Sequence, residues 1–291
     1  MIYGVKRITK YLLGIDIAGR SLAVYPDDTF IVSYPRSGNT WTRFLAANLI
    51  YAGQPVTFDN IERLIPDCEA QSSHYLKRVS RPRIIKSHTY FDPRYPRVIY
   101  IVRDPRDVAL SYYDFSRKYR HFEDGYPLER YIEDFVAGRL ISADWGTWAE
   151  NVASWAFARG ARRGFLLLRY EDMQAHPEQE LTRIAEFLGI DTSPERLKTA
   201  IERSSAERMR EMEKKQGKDW VTTRNKRDDI PFIRTATAGG WKNKLSSESV
   251  AVIEAAWGSI MAQLGYELAT QKEGNVEPPL AATAGFGKHH E

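Results

Sequence analysis

Residues 29–41 read TFIVSYPRSGNTW. The first six, Thr29 to Tyr34, combine β-branched and aromatic side chains, which predicts a buried strand. Residues 35–38 interrupt this pattern, and residues 39–52 carry apolar side chains at helical spacing. A strand, a short loop and a helix in this order are typical of the opening of an α/β nucleotide-binding unit.

The loop of this unit has the composition of an anion-binding site. Gly38 lets the backbone approach a ligand closely, and the following helix directs free N–H groups and its positive dipole end towards the loop. Arg36 adds a positive charge, and Ser37 and Thr40 add hydroxyl donors. We therefore predict that a phosphate or a similar anion binds here, just before Trp41.

Strands and helices alternate along the rest of the chain, which predicts a single α/β domain with a central, mainly parallel sheet flanked by helices. Asp104-Pro105 and Ser193-Pro194 each place a capping side chain before a proline, a signal for a helix start. The other predicted strands are residues 83–86, 97–102 and 164–170, and the other predicted helices start at Pro105 or cover about 177–188, 195–203 and 248–264.

The two ends of the chain differ from its centre. We assign residues 1–28 to an N-terminal extension and residues 29–267 to the domain itself. Residues 268–291 are rich in Ala, Gly and Pro and are expected to form a disordered tail. Residues 207–234 contain many Lys and Arg and few aliphatic side chains, which predicts a long, mobile, basic loop or simply a solvated surface.

Composition limits the function classes. The formal net charge of +4 over 291 residues does not argue for nucleic-acid binding. A single cysteine, Cys68, excludes an intrachain disulfide and a thiolate zinc site. No apolar run approaches the roughly 20 residues that span a bilayer. We expect a cytoplasmic protein without a transmembrane segment; the alternative is an N-terminal segment that lies on a membrane surface.

Residues 14–21, GIDIAGRS, imitate the glycine spacing of a Walker phosphate loop. Arg20 stands where that loop has lysine, and the residues that follow read as extended chain before Pro26. A Walker loop must open a helix, so we do not expect phosphate binding here.

Four blocks of the sequence are similar to one known family. YPRSGNTW at residues 34–41 resembles the loop of sulfotransferases that binds the 5′-phosphosulfate of 3′-phosphoadenosine 5′-phosphosulfate (PAPS), usually written YPKSGTTW. Arg103 and Ser111 keep the eight-residue spacing of the family's 3′-phosphate motif. Residues 86–88, Lys-Ser-His, resemble its Lys-Thr-His, and residues 239–243, GGWKN, resemble its C-terminal GxWKN block.

The resemblance implies a fold related to P-loop nucleotide kinases and the transfer of a sulfuryl group from PAPS to a hydroxyl of a small molecule, lipid or glycan. The product PAP is released, and no metal is required. His88 would act as the general base, while Lys86 and Arg36 would neutralise charge on the sulfonate. The residues implied in donor binding are Arg36, Ser37, Gly38, Asn39, Thr40, Trp41, Arg103, Ser111, Tyr170, Ser204 and Arg234.

The chain departs from the family pattern in several places. Arg36 replaces the usual lysine, Thr235-Ala236 replace the Lys-Gly that usually follows Arg234, and Ala206 stands near the position of an aromatic residue opposite Trp41. The dimer motif is not recognisable, so no oligomeric state is predicted.

Two alternative functions stay open at this point. A P-loop-type kinase would need a Walker lysine and Mg²⁺ ligands, and neither is evident in the sequence. A non-catalytic nucleotide-binding or nucleic-acid-binding module would use the basic segment at residues 207–234.

Overall fold

A computed structural model of the protein describes residues 10, 13, 14, 16–140, 142, 144–160, 162–234 and 237–270. Thr235-Ala236, most of the chain before residue 16 and residues 271–291 of the expected tail lie outside the described residues. Within the expected tail, the backbone N–H groups of Ala269 and Thr270 donate to the carboxylate of Glu254. The chain is therefore attached to the domain up to residue 270.

The centre of the fold is a sheet of four parallel strands in the order β2-β1-β3-β4. β1 (Thr29–Ser33) lies between β2 (Ile84–Ser87) and β3 (Arg97–Val102), and β4 (Phe165–Arg169) pairs with the outer side of β3. The sequence predicted each of these strands to within one residue at either end. The α/β class and the parallel sheet are confirmed.

Helices cover both faces of this sheet, and the capping signals in the sequence mark where two of them begin. The side chain of Asp104 accepts the backbone N–H of Arg106 at 2.9 Å, and Pro105 occupies the first turn. In the described part of the chain the helices are α1 (Asn39–Ile50), α2 (Ile61–Leu64), α3 (Ser73–Arg78), α4 (Pro105–Lys118), α5 (Leu128–Val136), α6 (Trp148–Arg159), α7 (Tyr170–Ala175), α8 (Pro177–Leu188), α9 (Pro194–Arg203), α10 (Ala206–Gln216) and α11 (Ser247–Gln263), with short 3-10 helices at Gly19–Ser21 and Gly240–Asn243.

The prediction of a loop over residues 207–234 was wrong for its first part. Ser205 caps α10 by accepting the backbone N–H of Arg208, and Met209 on the same helix is buried in the core. A helix with charged residues on its other faces needs only a narrow apolar stripe to pack. Because residues 207–216 are rich in Lys and Arg, this stripe was not recognised in the sequence. Residues 217–234 follow without a helix or a strand.

The core lies on both faces of the sheet because successive strand residues point to opposite sides. On β1, Phe30 and Val32 belong to one buried cluster and Ile31 to the other. The Walker-like segment contributes to the first cluster through Ala18 and Leu22, and no helix follows it before β1. It therefore packs as part of the core and lacks the helix that a Walker loop requires.

The parallel arrangement brings the ends of all four strands to one edge of the sheet. The residues that follow β1, β2, β3 and β4 are Tyr34, His88, Arg103 and Tyr170. The carboxyl edge of such a sheet is where α/β proteins bind ligands. Segments that are far apart in the sequence meet there.

Candidate active site

The loop between β1 and α1 has an unusual backbone. Arg36 and Gly38 both have positive φ angles, of 70° and 98°. A Cβ atom at Gly38 would lie 2.6 Å from Cδ2 of Tyr170, closer than packed carbon atoms approach. Glycine is therefore required at position 38 both for its backbone conformation and for the contact with Tyr170. The loop leads directly into the N-terminus of α1, as the sequence predicted.

Arg36 is half-buried and lies between two aromatic rings of the cavity. Its Nε donates to Ser111 Oγ at 3.0 Å, and its Nη2 donates to the Phe232 carbonyl at 2.9 Å. Its guanidinium carbon lies 5.2 Å from the ring centre of Phe115 and 4.6 Å from that of Phe232. Burial lowers the pKa of Arg36 to about 10, so the side chain stays protonated at neutral pH.

Arg103 reaches the same loop from the end of β3. Its Nη1 donates to the Arg36 carbonyl and its Nη2 to the Thr237 carbonyl, both at 3.1 Å, and its guanidinium lies 4.3 Å from the ring centre of Tyr170. Its buried Nε has no hydrogen-bond partner among the described residues. Among the residues that the structure describes, neither Arg36 nor Arg103 forms an ion pair. Half-buried cations that have no carboxylate partner are stabilised when an anion binds beside them.

Arg234 lies on the same side of the site, but it is partly neutralised. Its Nη1 donates to the Leu110 carbonyl at 3.0 Å, and its Nη2 forms an ion pair with Asp114 at 2.8 Å. Leu110 and Asp114 belong to α4, and the GGWKN block packs against this helix as well. There, the carboxylate of Asp107 accepts the backbone N–H groups of Gly239 and Trp241. The region around Ser111 on α4 thus gathers three separate segments of the chain.

Trp41 and Tyr170 form the aromatic end of the site. Their ring centres are 5.7 Å apart, and the rings meet edge to face at 72°. Ala206, at the position expected for a facing aromatic residue, lines the cavity together with Met209. An adenine ring at Trp41 would therefore meet a small and a flexible side chain from α10.

Three of the implied donor-binding side chains point elsewhere. Ser37 is fully buried, and its Oγ has no partner among the described residues. The Asn39 amide donates to the carbonyl of Ile31 at 3.1 Å, which ties α1 to β1. Ser204 is fully buried, and its Oγ accepts from Asn48 Nδ2 at 3.1 Å. Ser204 does not line the cavity, whereas the next residue, Ser205, does.

His88 follows β2 and lies beside Ser33, the last residue of β1. Its Nδ1 lies 2.7 Å from the Ser33 carbonyl, an atom that can only accept, so Nδ1 carries the proton and Nε2 has its lone pair free. Burial, followed by the charge of Lys86, holds the pKa of His88 well below its usual range. The imidazole is therefore neutral at physiological pH and can accept a proton at Nε2.

Two acidic residues that the sequence did not single out surround Lys86. Its Nζ lies 2.8 Å from Asp67 Oδ2 and 3.0 Å from Glu69 Oε2, and Glu69 Oε1 accepts the backbone N–H of His88 at 2.7 Å. Burial alone would lower the pKa of Lys86, but the two carboxylates outweigh it and raise the pKa above its ordinary value. No motif marked these acids; only the backbone bridge between Asp67 and Lys86 brings them to the site.

One cavity of about 860 Å³ contains most of the predicted site residues. Near His88, the ring of Trp145 lies 5.9 Å from the imidazole ring, edge to face. The cavity lining includes the predicted residues Lys86, His88, Arg36, Gly38, Asn39, Thr40, Trp41, Arg103, Ser111, Tyr170 and Arg234, and also Ile17, Asp67, Glu69, Phe115, Tyr119, Trp145, Met209, Trp220, Lys226 and Phe232.

Within the described ranges, no three His, Cys, Asp or Glu side chains come together in a group that could hold a metal ion. Over the same ranges, no helix has both the length and the apolar character that crossing a membrane requires.

Comparison with known proteins agrees with this geometry. The chain is 29% identical over 240 residues to sulfotransferase 1A1 of Mus musculus, covering 77% of this chain and 81% of the relative. It is 29% identical over 236 residues to sulfotransferase 1E1 of Bos taurus, covering 75% and 78%. The solved structure of mouse sulfotransferase SULT7A1 complexed with PAP superposes with a TM-score of 0.68 at 24% identity, covering 88% of this chain and 90% of that one.

The fold is also shared with retinol dehydratase in complex with androsterone and PAP, at a TM-score of 0.65 and 21% identity over 93% of this chain and 88% of that one. The family model described as "Sulfotransferase domain" matches residues 26–265, which contain all four motif blocks. This protein therefore belongs to the sulfotransferase family.

Proposed function

We propose that this protein transfers a sulfuryl group from PAPS to a hydroxyl of an apolar acceptor, with His88 as the general base. The observation that carries the proposal is one cavity that holds two kinds of group. Arg36 and Arg103, half-buried and without ion-pair partners in the described chain, line the part that we call the donor end. A neutral histidine with a free Nε2 lines the same cavity beside Ser33, at the end of β1.

The donor end has the groups that a doubly phosphorylated nucleotide needs. The N-terminus of α1, Gly38 and the guanidinium of Arg36 would hold the 5′-phosphosulfate, with Asn39 contributing its backbone N–H because its side chain is engaged. Ser37 is left out of this set, since its backbone N–H donates to the Tyr34 carbonyl and it does not line the cavity. Thr40 lies on the same turn and would add its hydroxyl.

The rest of the donor would extend towards β3 and β4. Arg103, Ser111 and Arg234 would hold the 3′-phosphate, and the unpartnered Nε of Arg103 is a donor that such a phosphate can satisfy. Trp41 and Tyr170 would contact the adenine. Because Ser204 is buried against Asn48, we leave it out of this set.

His88 would perform the proton transfer. Its Nε2 would accept the proton of the acceptor hydroxyl as that oxygen attacks sulfur, and the hydrogen bond from Nδ1 to Ser33 would stabilise the imidazolium that forms. The backbone of His88 is held on both sides, by Glu69 at its N–H and by Asn151 at its carbonyl. These contacts limit the freedom of the base and support a fixed direction of attack.

Arg36 is the better placed of the two predicted cations for stabilising charge on the sulfonate. Lys86 is paired with two carboxylates, so the group of Lys86, Asp67 and Glu69 has an excess of negative charge. Arg36 has no such partner in the described chain, and its guanidinium lies in the cavity beside Ser111 and the Phe232 carbonyl. We therefore assign the main electrostatic role to Arg36 and a supporting role beside His88 to Lys86.

The cavity is also lined by Phe115, Tyr119, Trp145 and Ile17, which suits a largely apolar acceptor that carries one hydroxyl. Structural neighbours of this fold hold androsterone or retinol, which have this character. We place the reaction in the cytoplasm, since the single buried cysteine, Cys68, is free.

The test combines transfer and binding. The wild-type protein should transfer label from PAPS to an aliphatic alcohol such as androsterone, and PAP should raise its melting temperature in the presence of EDTA. His88→Ala should lower the transfer rate by about 10²–10⁴ and keep the PAP-induced shift. No shift with saturating PAP would contradict the donor assignment. A variant that keeps more than about a tenth of the rate would exclude His88 as the base.

A further inference from the structure

The segment Arg227–Arg234, which we call the strap, closes the donor end of the cavity without any regular structure of its own. It follows α10, contains neither helix nor strand, and contributes Phe232, Ile233 and Arg234 to the cavity lining. The Phe232 carbonyl accepts from Arg36 Nη2. The position of the strap must therefore be set by side chains that bind its backbone.

Two charged residues outside the strap provide most of these contacts. Glu213 on α10 accepts the backbone N–H of Phe232 at Oε1, at 2.5 Å, and that of Ile233 at Oε2, at 2.8 Å. Lys118, the last residue of α4, donates from Nζ to the carbonyls of Arg227 and Ile230, both at 2.7 Å. The Lys118 and Glu213 side chains lie 3.9 Å apart. Neither was among the residues that the motifs indicated.

The contacts of Glu213 lie next to the cation that would read the 3′-phosphate. Phe232 and Ile233 immediately precede Arg234, and Arg210, also on α10, donates from Nη1 to the Arg234 carbonyl at 2.9 Å. A carboxylate that binds two consecutive N–H groups fixes the local direction of the chain, since charge-assisted hydrogen bonds are short and strong. Without it, Phe232 and Ile233 would leave two backbone donors unpaired in a largely buried region.

We propose that Glu213 is a positioning residue for donor binding: it fixes the strap so that Arg234 faces the 3′-phosphate. Glu213 does not line the cavity and would not touch the donor. The inference rests on the proposed function, because it assumes that the donor carries a 3′-phosphate at Arg234.

The experiment measures the dissociation constants of PAP and of adenosine 5′-phosphosulfate, which lacks the 3′-phosphate, by calorimetry. Glu213→Ala should weaken PAP binding at least tenfold and adenosine 5′-phosphosulfate binding clearly less. Glu213→Gln keeps one acceptor oxygen and should show an intermediate loss. Glu211→Ala is the matched control, since Glu211 is exposed on the same helix; it should bind both nucleotides like the wild type.

A double-mutant cycle separates positioning from a general loss of stability. If Glu213 acts through Arg234, Glu213→Ala should have less than half its effect on PAP binding when Arg234 is already alanine. If Glu213→Ala does not fold, the binding of both nucleotides and the double-mutant cycle with Arg234→Ala are measured with Glu213→Gln instead.

Several results would overturn the inference. The first is that the Glu213 variants bind PAP as tightly as Glu211→Ala does. The second is that Glu213→Ala weakens the binding of both nucleotides equally. The third is that the effects of Glu213→Ala and Arg234→Ala on PAP binding are additive. Wild-type protein that fails to bind PAP would overturn the proposed function as well, whereas wild-type binding combined with any of the other results overturns only the role of Glu213.

Discussion

Gly38→Ala tests whether the anion-binding loop is built around the contact between a glycine and Tyr170. The added Cβ would lie 2.6 Å from Tyr170 Cδ2, where ordinary contact begins at 3.4 Å, so the ring must move by about 3.4 − 2.6 = 0.8 Å. Tyr170 is constrained by Trp41, by the Arg103 guanidinium and by Gln174, which donates to its hydroxyl. Overpacking of this kind costs about 1–3 kcal/mol.

The backbone adds a second cost. Gly38 has a φ angle of 98°, and a left-handed conformation costs an alanine about 1–2 kcal/mol. The two effects together predict a loss of about 2–5 kcal/mol in the free energy of unfolding. Since each kcal/mol shifts the midpoint by about 2 °C in a protein of this size, the melting temperature should fall by at least about 4 °C. PAP binding should also weaken, because Tyr170 and Arg103 move with the ring.

Gly189→Ala is the matched control for this prediction. Gly189 ends α8 with a φ angle of 72°, and no atom lies within 4 Å of an added Cβ. This variant carries the backbone cost alone and should bind PAP normally. Both changes are followed by thermal melting and by calorimetric titration with PAP. The reasoning is refuted if Gly38→Ala is no less stable than Gly189→Ala and binds PAP equally well.

The remaining predictions concern the charged and titrating groups of the site. Arg103→Ala should weaken PAP binding at least tenfold, because a hydrogen bond to a charged group contributes about 1.5–3 kcal/mol; an equal loss for adenosine 5′-phosphosulfate would remove Arg103 from the 3′-phosphate site. Arg36→Lys should keep part of the transfer activity and Arg36→Met should lose it, since the loop needs a cation at the sulfonate; a fully active Met variant would contradict this role. Burial holds the pKa of His88 well below its usual range, so log kcat/KM with an aliphatic alcohol should be flat above about pH 6.5 and fall only at lower pH; a limb centred above neutral pH would speak against His88. His88 binds a proton more readily in the unfolded chain than in the native state. The free energy of unfolding should therefore fall as pH drops below about 6.5, by up to about 1.4 kcal/mol per pH unit. Denaturant titrations of His88→Gln should show a smaller pH dependence.

Much of the architecture could be predicted from the sequence because it depends on local patterns. Apolar runs bounded by turn residues indicated all four strands, and Asp104-Pro105 marked the start of α4 through a cap that the structure contains. Among the helices that were missed, α6 and α10 have weak or interrupted apolar periodicity, and their formation depends on a buried face that only the assembled core provides. α5 is different, because Tyr131, Ile132 and Phe135 recur at helical spacing and are buried; its pattern is present in the sequence and was not used.

The candidate site divides in the same way. Because parallel strands end at one edge of the sheet, the order of the motifs was enough to bring Arg36, His88 and Arg103 to a common cavity. The sequence could not indicate that Lys86 is paired with Asp67 and Glu69, since that pairing depends on a segment that joins the edge of the sheet through a single bridge.

The sequence by itself determined the fold class, the loop between β1 and α1 and the family to which the chain belongs, since each is encoded in short contiguous stretches. The tertiary structure alone decided which side chains face the cavity. Ser204 contacts Asn48, 156 residues away in the sequence, and is removed from the cavity by that contact, while Glu213 reaches the strap only because α10 folds back against it. Contacts of this kind depend on the packing of distant segments, and the free energy of packing has no signature in a local run of residues.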